Sequence, residues 1–177
     1  VMERSLVTAA KDGDVDAVRR NLARGDDPNV KDEDRRTALF EAALNGKLDV
    51  IEVLFQNGAR VDGANQTGMT PLMAAAQNNH VECLRALLAK GADCNAKKKN
   101  GATALSVAAH FGSLEALKEL LANRSRVDEK DKNGDTALIM AAINNHSACV
   151  EALRNHGADM MLRNNNGMSA LDCCMAE

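Results

Sequence analysis

The chain has 177 residues, of which 45% are hydrophobic and only 2% aromatic, and its formal net charge is −3. This length allows one domain with a substantial core. The charge lacks the basic excess of general nucleic-acid binders, and no apolar run approaches the roughly 18 residues that suggest a membrane span.

Five cysteines, an odd number, occur without any Cys-x-x-Cys spacing. This pattern favours free thiols in a reducing compartment, so we expect an intracellular protein of the cytoplasm or nucleus. The first residues, VMERSLVTAAKDG, lack a basic segment followed by an apolar one, and we expect no signal peptide there.

A tripeptide of Thr or Ser, then Ala or Pro, then Leu recurs every 33 residues. Its copies begin at Thr37, Thr70, Thr103, Thr136 and Ser169, and Arg4-Ser5-Leu6 is a degenerate copy one period earlier. Paired alanines such as Ala42-Ala43 and Ala75-Ala76 follow, then a Gly or Asn, then a second apolar set with helical spacing. A fixed period of this length is typical of stacked repeats.

Each period predicts two short antiparallel helices. Thr caps the first helix, Pro71 fits its first turn, and glycines end the second helix at Gly25, Gly58, Gly91 and Gly157. One pair cannot bury its apolar face alone, whereas stacked pairs can. The predicted units are an N-terminal cap at 1–34, repeats at 35–67, 68–100, 101–133 and 134–166, and a C-terminal cap at 167–177.

Residues 65–95, NQTGMTPLMAAAQNNHVECLRALLAKGADCN, resemble the ankyrin repeat, whose consensus contains Thr-Pro-Leu-His, Ala-Ala, Gly-His and Gly-Ala-Asp. The resemblance extends over essentially the whole chain, 1–177. It implies a single all-α domain, a right-handed solenoid of helix pairs joined by projecting β-hairpin fingers.

The sequence departs from the family pattern at two kinds of position. The consensus His is absent, and its position is filled by Phe40, Met73, Ser106, Ile139 and Asp172. In NRSRVD, Arg124 replaces the Gly that ends the second helix. A positive φ at Arg124 would cost about 1 kcal/mol of strain.

The resemblance also implies that a partner protein binds the concave face formed by fingers and first helices. Matched position by position, the candidate contacts are Arg36, Met69, Gln77, Lys97, Lys99, Ala102, His110, Phe111, Lys132, Ile143 and Asn144. Phe111 is the sharpest candidate, because the other repeats place Asp or Asn there and aromatic anchors dominate interface energies. The alternative is that Phe111 folds against Leu114 or the neighbouring helix.

Three consecutive lysines precede Asn100-Gly101 in DCNAKKKNGAT. The repeat places Lys97, Lys98 and Lys99 in a finger. Other repeats carry Lys31, Ala64, Lys130 and Arg163 at the position of Lys97, a largely basic column. This column favours a partner with an acidic segment, and the alternative is a solvated turn. Nucleic acid is disfavoured because no aromatic residue interleaves the lysines.

Candidates for catalysis are weak, and we expect no enzyme activity, cofactor or metal. His80 and His146 share one repeat position two repeats apart, on the order of 20 Å. Cys83 and Cys149 are separated in the same way, too far for a disulfide. Cys174 occupies a core alanine position, which predicts burial with Cys173 in a packed cap.

Ankyrin-like proteins are often substrates of an asparagine hydroxylase, and the resemblance makes Asn95 a candidate, with Leu87 eight residues earlier. The alternative is that Asn95 only hydrogen-bonds the hairpin backbone. The predicted function is a monomeric protein-interaction module. The alternatives are a targeting or regulatory domain of a larger enzyme and a structural spacer or designed scaffold.

Overall fold

Eleven helices follow one another in residues 4–175, the part of the chain that this computed structural model describes. They are α1 Leu6–Asp12, α2 Val15–Ala23, α3 Ala38–Leu44, α4 Leu48–Gln56, α5 Pro71–Gln77, α6 Val81–Ala89, α7 Ala104–Phe111, α8 Leu114–Ala122, α9 Ala137–Ile143, α10 Ser147–Asn155 and α11 Ala170–Cys174. The all-α repeat architecture predicted from the sequence is confirmed.

The helices form two rows. The odd-numbered helices pack side by side from α1 to α11, and we call them the first-helix row. The even-numbered helices pack from α2 to α10 as the second-helix row, each against its own partner in the first row. The paired alanines are buried between neighbours of the first row, where their small side chains permit close approach.

Hydroxyl caps begin the first helix of each repeat. Thr37 Oγ1 accepts a hydrogen bond from the Phe40 backbone N–H at 3.1 Å, and Thr70, Thr103, Thr136 and Ser169 act in the same way. Ser106, at the consensus His position, returns a bond by accepting from Thr103 N at 2.9 Å. A short polar side chain at that position therefore secures the turn locally.

The second helices end in a left-handed residue, as predicted. Gly91 has φ +84°, and a Cβ built there would meet nothing within 4 Å. Arg124, at the same repeat position, has φ +62°, so the predicted positive φ is confirmed. The neighbouring Ser125 replaces the alanine of other repeats, and its Oγ is buried without a hydrogen-bond partner among residues 4–175.

Five loops join a second helix to the next first helix, at 24–37, 57–70, 90–103, 123–136 and 156–169, and we call them fingers one to five. The predicted β-hairpin strands are absent from the described residues, apart from two isolated bridges, Lys31 with Thr37 and Arg163 with Ser169. In finger three a tight turn takes their place, with Lys98 N donating to Ala102 O at 3.0 Å.

Backbone groups at the tip of each finger also pair with the neighbouring finger. Lys99 N donates to Thr67 O at 2.9 Å, and Lys132 N donates to Asn100 O at 2.9 Å. Gly101 lies so close to finger four that a Cβ there would stand 3.1 Å from Asp131 Cα. The fingers are therefore stacked on one another by main-chain hydrogen bonds.

The basic column predicted from the sequence acts mainly between fingers. Lys31 Nζ donates to Ala64 O at 2.9 Å, Lys130 Nζ donates to Arg163 O at 2.8 Å, and Lys97 Nζ pairs with Glu129 at 2.5 Å. Each bond joins one finger to the following one. Lys31, Lys97 and Lys130 of this column therefore hold neighbouring fingers together.

The predicted burial of Cys174 is wrong. Cys173 is half-buried against the core, whereas Cys174 is exposed. Helix α11 packs mainly on α9, and Cys174 lines an open cavity beside α10. The expected free thiols are confirmed, and burial raises the pKa of Cys83 to about 11.

Replacing Arg124 with Gly should raise the melting temperature by about 2–4 °C, since it removes about 1 kcal/mol of left-handed strain. Calorimetry measures the change. The reciprocal variant Gly91→Arg places the same strain in open space and should lower the melting temperature by a similar amount. An unchanged or lower value for Arg124→Gly would contradict the strain.

Replacing Ser125 with Ala should stabilise the fold by about 1 kcal/mol. On folding, the Oγ loses its hydrogen bonds to water and gains none within the described residues. Urea unfolding measures the difference. Ser147→Ala, at an exposed position of α10, is the control and should change stability by less than about 0.5 kcal/mol. A loss of stability in Ser125→Ala would show that the hydroxyl is satisfied.

Replacing Lys97 with Met should raise the pKa of Glu129. The hydrogen bond from Lys97, helped by Arg126, holds that pKa below its ordinary value. Stability from this pairing is present above the ordinary pKa of Glu and is lost as the pH falls through the lowered value. NMR titration of the Glu129 carboxyl reports the shift. Lys99→Met should leave it unchanged, and an unmoved pKa in Lys97→Met would refute the brace.

Candidate partner-binding groove

An open cavity of about 230 Å³ lies between the fingers and the first-helix row, and we call it the central groove. Its walls come from fingers two and three and from α5, α7 and α9. The lining residues are Met69, Gln77, Lys98, Asn100, Ala102, Ser106, Val107, His110, Phe111 and Met140.

Helix α7 supplies one long wall of the groove. Ser106 and Val107 lie one helical turn before His110 and Phe111, so all four side chains share one face of α7. The apolar side chains of the opposite face, including Leu105 and Ala108, are buried in the core. The same helix therefore contributes to the core on one face and to the groove on the other.

Phe111 is 50% exposed and lines the groove, so the alternative in which it folds fully against neighbouring helices does not describe it. Its ring meets the His110 ring edge-on, with centroids 4.8 Å apart. Asn144 Nδ2 lies 3.2 Å from His110 Nδ1 and also donates to Met140 O at 2.8 Å. The amide thus fixes the imidazole beside which Phe111 stands.

The structure brings together five of the sequence-predicted contact residues, all lining the central groove: Met69, Gln77, Ala102, His110 and Phe111. Ala102 is only 6% exposed, so it offers the groove a floor and little projecting surface. Lys99 and Lys132 are exposed in fingers three and four, beside the groove. Ile143 is 51% exposed at the end of α9.

Arg36 lies apart from this group, in finger one, and it is already engaged. Its Nη1 donates to Glu41 Oε1 at 2.8 Å, and Asn45 Nδ2 donates to Glu41 Oε2 at 3.2 Å. Glu41 is 2% exposed, and its hydrogen bond raises the pKa of Arg36 above the ordinary value. Sequence reasoning missed this pair, although Glu41 stands where other repeats carry Ala74, Val107 or Met140.

Sequence reasoning placed Asn100 on the binding face but missed four other residues of the groove lining, namely Lys98, Ser106, Val107 and Met140. The signal for Lys98 was present in the lysine run. The others occupy positions that are buried or satisfied in neighbouring repeats, so nothing in their residue types marked them as facing a groove.

Asn95 joins finger three to the start of finger four. Its Oδ1 accepts from Arg126 N at 2.8 Å, and its Nδ2 reaches Arg124 O at 3.5 Å. Asn29 makes the equivalent bonds to Arg60 N and Gly58 O. The side chain therefore bonds backbone of the next repeat instead of its own hairpin, and hydroxylation of Asn95 stays a prediction.

The part of the chain that the structure describes brings no three His, Cys, Asp or Glu side chains together to hold a metal ion. His146 is used structurally, since its Nε2 lies 3.0 Å from the His110 carbonyl oxygen, to which it can donate. No helix within residues 4–175 combines the length and apolarity needed to cross a bilayer.

Comparison with protein families agrees with this geometry. The model for ankyrin repeats, in 3 copies, matches residues 6–98 and 105–177. Comparison with curated proteins found no match. The matched residues include all of the helices described above except Ala104, the first residue of α7. The chain belongs to the ankyrin repeat family.

Proposed function

We propose that this chain is a scaffold or adaptor module that binds a partner protein on the concave face formed by its fingers and first-helix row, with the central groove as the main contact. Ankyrin repeats are generally protein–protein interaction modules. We further propose that residues 1–177 form one such domain and that it is monomeric by itself.

The half-exposed ring of Phe111 in the central groove is the observation that carries the proposal. In α1, α3, α5 and α9 the corresponding residue is Asp or Asn, so the aromatic ring of Phe111 is a local departure from a polar pattern. A large aromatic side chain beside an apolar cavity provides the kind of desolvated anchor that dominates interface energies.

The dimensions of the groove favour a protein partner over a small molecule. Cavities for drug-sized ligands usually measure about 300–1,000 Å³ and enclose most of the ligand. The central groove, at about 230 Å³, is smaller and open to solvent. It suits one or two side chains of a partner, with the remaining contact spread over the finger tips.

Phe111→Ala should weaken capture of the partner by about tenfold or more, since truncation of an aromatic anchor costs about 2 kcal/mol or more. The measurement is a quantitative pull-down from cell lysate with mass spectrometry. Met161→Ala is the control, because Met161 is also an exposed apolar residue but lies in finger five, away from the groove.

Both variants should melt like the wild type, which calorimetry checks. A partner that is lost only in Phe111→Ala supports binding at the groove. A partner retained by both variants would move the contact elsewhere on the chain, and no specific partner in lysates from several sources would favour a structural spacer.

A further inference from the structure

We infer that the partner segment in the central groove is acidic: one large apolar side chain enters the groove, and flanking carboxylates meet Lys98, Lys99 and Lys132. This inference rests on the proposed function and deepens it by giving the chemistry of the segment. It does not follow from the family, because the residues that carry it belong to this chain.

Five of the ten residues that line the groove are apolar. Val107 and Ala102 are buried at its base, while Met69, Met140 and Phe111 form its walls. Methionine side chains are flexible and polarizable, so they adapt to apolar groups of different shapes. A Leu, Met or Phe side chain of the partner would be stabilised by leaving water there.

The rim on the side of fingers three and four is positively charged. Lys98 lines the groove, and Lys99 and Lys132 are exposed nearby. Within residues 4–175 none of these three ammonium groups forms an ion pair or a side-chain hydrogen bond. They differ in this respect from Lys97 and Lys130, which brace the fingers.

The described carboxylates of finger four form no ion pair with Lys98, Lys99 or Lys132. Asp131 is buried and accepts backbone N–H bonds from Asn133 at 2.8 Å and Asp135 at 2.9 Å. Asp135 is also buried and accepts from Asn164 at 2.7 Å. Glu129 pairs with Lys97. Asp131, Asp135 and Glu129 therefore direct their carboxylate oxygens to partners within the fold, and the exposed charged groups at the tip of finger three and at Lys132 are ammonium groups.

The charge is placed on one side of the groove only. The tip of finger two, residues 64–69, carries no charged side chain and contributes Met69. The apolar side chain of the partner should therefore lie towards finger two and α7, with its carboxylates towards fingers three and four. This arrangement fixes the orientation of the partner segment in the groove as well as its charge.

The experiment is selection of a displayed library of random twelve-residue peptides on the wild-type chain. We expect enrichment of sequences with one Leu, Met or Phe and two or more Asp or Glu nearby. Affinity of the selected peptides should fall as salt is raised, because exposed charges are screened.

Selected peptides are then titrated against three variants with wild-type melting temperatures. Lys98→Glu/Lys99→Glu/Lys132→Glu should weaken binding by more than about tenfold through charge reversal at the rim. Arg19→Glu/Arg20→Glu/Arg154→Glu, on the exposed second-helix row, makes the same change in net charge and should leave binding within about twofold. Phe111→Ala should also weaken binding.

The outcomes separate the two proposals. Peptides that lose affinity for Phe111→Ala but show no acidic enrichment and bind the lysine variant normally overturn the acidic segment and leave the groove as the contact. Peptides indifferent to Phe111→Ala, or no enrichment at all, overturn both. Labelled single-stranded poly-dT is tested as well. The inference is also overturned if poly-dT binds the wild type more tightly than the peptides do and fails to bind the lysine variant.

Discussion

Close packing between neighbouring first helices is the constraint on which this structure depends. The paired alanines of each repeat are buried against the next repeat, and no single helix pair encloses a core of its own. Stability is therefore a sum of terms between neighbours. The groove depends on the same contacts, since α7 reaches its place only by packing between α5 and α9.

The fingers likewise depend on contacts with their neighbours. Their backbone N–H groups donate to carbonyls of the preceding finger, and Lys31 and Lys130 donate to carbonyls of the following one. This stacking fixes where each finger tip projects. It also separates Lys97 and Lys130, which brace the fingers, from Lys98, Lys99 and Lys132, which form no ion pair among the described residues.

The central groove and the Arg36–Glu41 pair lie where individual repeats depart from the common sequence pattern. Phe111 replaces a polar residue at the end of a first helix, while Glu41 replaces an apolar one and is satisfied by Arg36 and Asn45. The two departures have opposite consequences. The carboxylate is buried within the repeat that carries it, whereas the aromatic ring stays half exposed on the groove.

The sequence by itself determined the helix pairs, their hydroxyl caps, the left-handed residue at Arg124 and the position of Phe111 on the finger side of a first helix. The first three follow from local backbone chemistry and a fixed period, whereas the place of Phe111 is what the resemblance to the ankyrin repeat implies. Only the tertiary structure decided that the fingers lack hairpin strands, that Cys174 is exposed, and that Lys97 is paired while Lys99 is not. The pairing of Lys97 depends on a contact between residues about 33 positions apart, where the stacking distance and the direction of each side chain select the partner, whereas the exposure of Cys174 depends on how α11 packs.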